Sequence, residues 1–94
     1  MATLSKSEVE TLLKELPEWK LDGGKLVRDW EFKDFVAAMS FVNRIATLAE
    51  QAGHHPDIDI RYNRVRLGLI SHDAGGITER DAKMARRISR DLSA

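Results

Sequence analysis

Apolar residues recur along the chain with two periods, one typical of helices and one typical of strands. Near the N-terminus they recur at i, i+3, i+4 and i+7, and the residues concerned are Val9, Leu12, Leu13 and Leu16. Ser5 and Glu8 precede this stripe with the spacing of a capping box, and Pro17 follows it. The pattern predicts a first helix between Ser5 and Pro17.

A longer helix is predicted from about Asp34, the expected N-cap, to Ala52. Gly53 suits the position just after it, because glycine readily adopts the left-handed conformation that ends many helices. The main apolar stripe of this helix consists of Phe35, Ala38, Val42, Ile45, Ala49 and Ala52. Phe41 and Leu48 widen the stripe beyond what one sheet face requires, so we expect a second copy of the chain to cover part of it.

The first predicted strand pair surrounds Gly23 and Gly24, which supply the positive φ angles of a tight turn. A two-residue loop at these glycines pairs Leu21 with Leu26. The alternation of side chains along a strand then places one apolar set on a single side of the sheet. This set is Trp19, Leu21, Leu26, Trp30 and Phe32.

The second predicted strand pair shows clear alternation of apolar residues with polar residues or glycine. Its apolar positions are Ile58, Ile60, Tyr62, Val65, Leu67 and Leu69. A two-residue turn at Asn63 and Arg64 joins the strands, since asparagine tolerates positive φ. This turn pairs Tyr62 with Val65.

The open end of this second hairpin is predicted to hold two histidines. Continuing the same register places His55 opposite His72. Pro56 disturbs regular strand pairing at this point. We therefore expect an irregularity over residues 53–56 that turns His54 inward.

The third helix is predicted to begin after a glycine pair at residues 75–76. Thr78 is its expected N-cap and Asp81 the N3 residue of a variant capping box. Three of its residues are expected to face inward and three outward; these are Ala85, Ile88 and Leu92, then Arg86, Arg87 and Arg90. The order of elements predicts an α+β fold. It is a single domain, residues 1–94, with three helices on one face of one four-stranded antiparallel sheet.

Charge and composition narrow the possible functions. Fifteen Lys and Arg residues balance fifteen Asp and Glu residues, so no strong field favours nucleic acid or an acidic membrane as partner. The sequence contains no cysteine, which excludes disulfides, thiol catalysis and zinc–thiolate sites. The N-terminal segment has no apolar signal core, and no apolar run is long enough to cross a bilayer. We expect a cytoplasmic protein.

All three histidines lie in one short window, as His54, His55 and His72. Histidine exchanges protons near neutral pH, so the cluster predicts general acid–base catalysis. Glu50 lies one turn before the end of the long helix, where it either orients a histidine or is simply solvated. The simplest role for Asp81 is to cap the third helix. The alternative is a supporting role in the site.

Other chemistries fit the histidines less well. Adjacent residues of an extended chain point to opposite sides, which disfavours a metal held by both His54 and His55. Ser71 precedes His72, but no nucleophile-elbow pattern is present. Tyr62 is expected in the core, and Trp19 either in the core or beside a flat ligand. A purely structural module remains the plain alternative, and it requires the histidines to cluster by chance.

The sequence resembles the pterin-4a-carbinolamine dehydratases along nearly its whole length. The resemblance is carried by residues 50–57 (EQAGHHPD), 62–65 (YNRV), 71–72 (SH) and 76–81 (GITERD), with residues 32–35 (FKDF) upstream. It implies dehydration of a 4a-hydroxytetrahydropterin to the quinonoid dihydropterin, in the recycling of the tetrahydropterin used by aromatic amino acid hydroxylases. It also implies no metal and no cofactor beyond the pterin substrate.

The resemblance assigns roles to particular residues. It makes His54, His55 and His72 the catalytic set, with His54 and His72 transferring protons and His55 holding the ring. Glu50 and Asp81 take supporting roles. Contact with the substrate is expected from Trp19, Ser71 and Arg80.

The resemblance also implies partners. It predicts a homodimer or homotetramer and a functional link to a phenylalanine hydroxylase. Some relatives act as dimerisation partners of a transcription factor, so a protein-binding coactivator without required enzymatic activity is the alternative function. The intact histidine set favours the enzyme, because a binding-only protein does not need it.

Overall fold

The computed structural model describes residues 2–92, and Met1, Ser93 and Ala94 lie outside them. The seven elements follow the predicted order of helix, strand pair, helix, strand pair and helix. They are α1 (Lys6–Glu15), β1 (Lys20–Asp22), β2 (Lys25–Glu31), α2 (Phe35–Ala52), β3 (Asp57–Arg61), β4 (Arg64–Leu69) and α3 (Glu79–Asp91). The strands form one antiparallel sheet in the order β1-β2-β4-β3. The predicted α+β fold is confirmed. Over the described part of the chain, no helix is long and apolar enough to cross a membrane.

The predicted helix ends are also confirmed. Ser5 and Glu8 close a reciprocal capping box at the start of α1, and Thr78 and Asp81 close another at the start of α3. At the start of α2, the side chain of the N-cap Asp34 accepts a hydrogen bond from the backbone N–H of Ala37. Each cap satisfies backbone donors that the first turn of a helix leaves free.

The hydrophobic core lies between one face of the sheet and the three helices. The sheet contributes Leu26, Trp30, Val65, Leu67 and Leu69, and the helices contribute residues such as Leu12, Ile45 and Ile88. Phe41 and Leu48 are only 4% and 5% exposed in this single chain. The expectation that a second copy must cover them is therefore wrong. The ring of Trp30, whose centroid lies 4.7 Å from that of Phe41, fills the space beside α2.

The register of the first hairpin is confirmed, with Leu21 opposite Leu26 and a loop at the two glycines. The register predicted for the second hairpin is wrong by two residues. Its turn consists of Tyr62 and Asn63, and Ile60 pairs with Val65 instead of with Leu67. Tyr62, not Asn63, has the positive φ, at 51°.

Contacts with a neighbouring strand account for the observed turn. The side-chain amide of Asn63 donates to the carbonyl oxygen of Phe32 at 2.8 Å, and the N–H of Phe32 donates to the carbonyl oxygen of Asn63, also at 2.8 Å. These two bonds anchor the turn to the end of β2. The ladder ends at Asp57 and Gly68, so His55 and His72 lie outside it and are not opposed as predicted.

Candidate active site

His54 lies in an irregular segment between α2 and β3. Gly53 ends α2 in the left-handed conformation, with φ 63°. The N–H of His54 donates to the carbonyl oxygen of Ala49 at 3.2 Å, which folds the chain back over the helix end. The side chain of His54 is only 12% exposed, and its Nε2 lies 2.5 Å from Oδ1 of Asp81. The structure thus shows the expected irregularity, and it points His54 towards α3.

Asp81 is fully buried at the start of α3. Its Oδ2 accepts hydrogen bonds from the hydroxyl of Ser71 and the backbone N–H of Thr78, each at 2.9 Å. The hydroxyl oxygens of Ser71 and Thr78 are 2.8 Å apart. Asp81 is therefore a helix cap, as its sequence context predicts, and it also contacts His54 with its other oxygen.

His55 forms a separate pair at the surface. Its Nε2 lies 2.5 Å from Oε2 of Glu50, and the two side chains are 62% and 77% exposed. An exposed pair of this kind contributes little to stability because water and salt screen it. The contact places the Glu50 carboxylate beside one edge of the His55 ring.

His72 lies in a tight loop that follows β4. Ser71 and Gly76 form an isolated antiparallel bridge across this loop, and Gly75 adopts a φ of 74° within it. His72 is exposed, whereas the preceding residue, Ser71, is buried. Because Ser71 bonds to Asp81, the loop that carries His72 is tied to the same carboxylate that His54 contacts.

Arg80 supports this loop from the first turn of α3. Its Nη2 donates to Oδ1 of Asp73 at 2.5 Å. This hydrogen bond holds the pKa of Asp73 below its ordinary value. Asp73 was not predicted from the sequence as part of the site, although it directly follows His72. Thr78 was predicted only as a helix cap. Its position three residues before Asp81 is the sequence feature that indicates a contact between the two residues.

Three other residues considered from the sequence are Trp19, Ser71 and Tyr62. Trp19 is 3% exposed, and its indole N–H donates to Ser89 Oγ at 2.9 Å in the core. Ser71 is 1% exposed, which leaves its side chain little surface to offer a substrate. Tyr62 is 66% exposed at the tip of a hairpin, so its predicted core position is wrong. The structure bonds Ser71 to Asp81, the partner of His54, and leaves Trp19 in the core.

The arrangement offers proton-transfer groups. Within residues 2–92, no group of three or more acidic or histidine side chains is placed to hold a metal ion. His54 and His55 each use Nε2 in a contact with a carboxylate. His72 has an exposed imidazole. Two of the three imidazoles therefore contact carboxylates, and the third lies on the exposed loop whose Asp73 is bonded to Arg80.

Known proteins resemble this chain over most of its length. The family model described as "Pterin 4 alpha carbinolamine dehydratase" matches residues 2–90. A protein of Acidobacterium capsulatum, provisionally named a pterin-4-alpha-carbinolamine dehydratase, is 60% identical over 88 residues, which are 94% of this chain and 96% of the relative. A Thermomicrobium roseum protein with the same provisional name is 56% identical over 95% of this chain and 96% of its own length.

Solved structures show the same fold. The crystal structure of a transcriptional coactivator/pterin dehydratase from Brucella melitensis has a TM-score of 0.86 and 38% identity, and the match covers 94% of this chain and 96% of that one. A pterin dehydratase-like protein described as a RuBisCO assembly factor in the alpha-carboxysome has a TM-score of 0.64 and 24% identity, covering 78% and 87% of the two chains. At that identity the second likeness concerns the fold alone.

Proposed function

The chain belongs to the pterin-4-alpha-carbinolamine dehydratase family, and from this premise we propose that it dehydrates a 4a-hydroxytetrahydropterin by histidine acid–base catalysis. The observation that carries the proposal is the contact between His54 and the buried carboxylate of Asp81. A half-buried imidazole fixed by a carboxylate is suited to moving a proton at a defined position.

The reaction requires two proton transfers. The bond between C4a and its hydroxyl oxygen breaks, and that oxygen takes a proton from an acid and leaves as water. N5 gives its proton to a base, and the electrons of the N5–H bond form the new C4a=N5 double bond. A protonated and a neutral imidazole supply the acid and the base near pH 7. The products are the quinonoid dihydropterin and water.

The geometry favours different roles for the histidines. His54 is fixed by Asp81, and His72 is carried by the loop tied to the same carboxylate through Ser71. We assign proton transfer to these two residues. His55 is exposed and held by Glu50, and we assign it to binding the pterin ring. Arg80 has a guanidinium near the loop and is assigned to the edge of the substrate site.

The decisive experiment supplies the carbinolamine as it forms. An aromatic amino acid hydroxylase generates it, and its absorbance is followed with and without this protein. We expect the protein to speed its disappearance above the uncatalysed rate, and the variant His54→Ala to lose most of that effect. A protein that folds normally and leaves the uncatalysed rate unchanged would contradict the proposal. As part of the same proposal, this protein is cytoplasmic and functions with a phenylalanine hydroxylase encoded nearby.

We further propose that the chain forms a homo-oligomer, a dimer or a tetramer. The support is apolar surface that one chain leaves uncovered: Ile58 and Ile60 on the edge strand β3 are 38% and 36% exposed. At the start of α2, Phe35 and Val36 are 49% and 72% exposed. An edge strand also presents unpaired backbone groups that a second strand can bind.

A second candidate function is protein binding. The Brucella melitensis relative is described as both a transcriptional coactivator and a pterin dehydratase. The exposed start of α2, at Phe35 and Val36, is the surface that supports this candidate. A tight protein partner together with no dehydratase activity would favour it over the enzyme, and loss of that partner in Val36→Asp would locate the surface.

A further inference from the structure

Three side chains form one continuous hydrogen-bonded path that leads from the start of α3 to His54. The hydroxyl oxygens of Thr78 and Ser71 are 2.8 Å apart, and Ser71 Oγ lies 2.9 Å from Asp81 Oδ2. Asp81 Oδ1 lies 2.5 Å from His54 Nε2. Thr78, Ser71 and Asp81 are each at most 1% exposed. Bulk water is therefore excluded, and these groups must satisfy one another.

Counting donors and acceptors gives the path a direction. An ionised carboxylate has no hydrogen to donate, so the hydroxyl of Ser71 donates to Asp81. A hydroxyl has a single hydrogen, so Ser71 has none left for Thr78. Thr78 must therefore donate to Ser71, while its own oxygen accepts the N–H of Arg80 at 3.2 Å. The hydrogens run in one direction, from Thr78 through Ser71 to Asp81.

The same count determines the state of His54. Because Asp81 Oδ1 can only accept, the Nε2 of His54 must carry a hydrogen. A neutral imidazole carries one hydrogen, so its Nδ1 is then bare. We infer that His54 exchanges protons with the substrate through Nδ1, and that Asp81, Ser71 and Thr78 are positioning residues that hold Nε2 protonated. The catalytic part of this inference rests on the proposed function.

The variant Asp81→Asn tests the tautomer of His54, which loss of a negative charge alone would not invert. The amide oxygen must still accept the buried donors of Thr78 and Ser71, so the NH₂ group faces His54. It then donates to Nε2 and forces the hydrogen of His54 onto Nδ1. In Ser–His–Asp enzymes the corresponding change inverts the tautomer and lowers kcat about 10⁴-fold. Here the bare nitrogen would turn away from the substrate.

Nitrogen-15 NMR of histidine-labelled protein tests the assignment without substrate. The chain has three histidines, and His54→Gln identifies the signals of His54. At about pH 9 an ordinary histidine is neutral, and we expect hydrogen on Nε2 in the wild type and on Nδ1 in Asp81→Asn. Ser71→Ala and Ser71→Thr both keep the Asp81 carboxylate, which can only accept a hydrogen bond, so both should keep the wild-type tautomer. Thr11→Val, which removes an exposed hydroxyl bonded within α1, should change nothing.

Kinetics supply the second measurement. We expect Asp81→Asn to lower kcat ~10²-fold or more, as loss of an acid or base does, with KM little changed. Ser71→Ala should lower kcat about tenfold, the effect of one buried hydrogen bond. A wild-type His54 with hydrogen on Nδ1, or an equal mixture, would overturn the inference, and this outcome does not depend on whether Asp81→Asn or Ser71→Ala folds.

The outcomes also separate the inference from the proposed function. If the wild type shows hydrogen on Nε2 but does not dehydrate the carbinolamine, the proposed function fails and the catalytic part of the inference with it. If the wild type is active while His54 carries its hydrogen on Nδ1, the dehydratase stands and the inference is overturned.

Discussion

His54 and Asp81 are 27 residues apart in the sequence and meet at 2.5 Å, as Nε2 and Oδ1. The carboxylate is fully buried, while the imidazole remains 12% exposed. One edge of the ring is therefore fixed inside the fold, and a small part of the side chain reaches the solvent. A group held in this way is suited to act on a bound molecule repeatedly in one orientation.

Substitution of the histidines should separate proton transfer from binding. His54→Ala and His72→Ala should each lower kcat ~10²–10⁴-fold, the usual cost of losing a general acid or base. His55→Ala should also raise KM, because it removes an interaction made in the ground state. Steady-state kinetics, with the uncatalysed rate subtracted, measure both constants.

The histidine variants need a control for folding. Thr47→Ala changes an exposed residue of α2 and should leave both constants unchanged. Circular dichroism should show all four variants folded, since the exposed and half-buried histidines contribute little to the core. Near-normal turnover in both His54→Ala and His72→Ala would mean that these imidazoles do not transfer the protons.

Chelation should leave the activity unchanged, because imidazoles that transfer protons need no ion. The protein is treated exhaustively with a chelator, dialysed and assayed with the carbinolamine. Elemental analysis of the same sample gives the metal content. A stoichiometric metal whose removal abolishes turnover and whose return restores it would contradict the acid–base mechanism.

The helix ends could be predicted from the sequence because they depend on neighbours within four residues. The two capping boxes are formed by Ser5 with Glu8 and by Thr78 with Asp81. Both partners of each box are three residues apart, so the sequence alone shows them. The second hairpin could not be placed in the same way. Its register depends on two bonds between Asn63 and Phe32, and Phe32 is 31 residues away.

The site shows the same division between local and distant information. The clustering of the histidines is visible in the sequence, and the turn at Gly53 that redirects His54 follows from local rules. The contact of His54 with Asp81 is tertiary, and helix capping already accounts for that aspartate. Likewise, the sequence shows only that Ser71 precedes His72. The fold shows that the hydroxyl of Ser71 donates to Asp81.

Gly53 should be important for both stability and the site. Its φ of 63° is left-handed, and a Cβ added there meets nothing within 4 Å. Gly53→Ala should therefore destabilise the protein by about 1 kcal/mol through backbone strain alone. Gly53→Asn should cost less, because asparagine tolerates this conformation. Urea unfolding gives the free energies, and kcat should fall in the same order because the segment carries His54. Equal stability of the alanine and asparagine variants would contradict this account.

Oligomer formation should depend on the apolar edge of the sheet. Light scattering at micromolar concentration should give at least the mass of a dimer for the wild type. Ile60→Asp should shift the mass towards the monomer by placing a charge on β3, whereas Arg61→Ala, a neighbouring exposed position, should not. A wild type that shows only the monomer mass would remove the proposal. A dimer unaffected by Ile60→Asp would instead place the interface elsewhere, with the start of α2 as the next surface to test.

Acid should weaken the link between α1 and α3. Arg86 donates to both carboxylate oxygens of Glu15, at 2.8 and 3.1 Å, and this hydrogen bonding lowers the pKa of Glu15 below its ordinary value of 4.5. Because the folded pKa is the lower one, ionised Glu15 stabilises the fold above about pH 4.5. That contribution is lost as the pH falls through the folded pKa. The Tm of Glu15→Gln should thus lie below that of the wild type at pH 7.

The difference in Tm between the two proteins should shrink as the pH falls from 7 to 3, because Glu15 is protonated at its ordinary pKa in the unfolded chain and only at a lower pH in the folded chain. Other carboxylates also lose stabilising partners in acid, among them Asp29 with its Arg66 contact. Their effect is common to both proteins and cancels in the difference. Glu10→Gln, at an exposed position of the same helix, is the matched control. Its Tm should differ little from that of the wild type at both pH values. A Glu15→Gln difference that stays constant from pH 7 to pH 3 would mean that the ion pair with Arg86 does not stabilise the packing of α1 on α3.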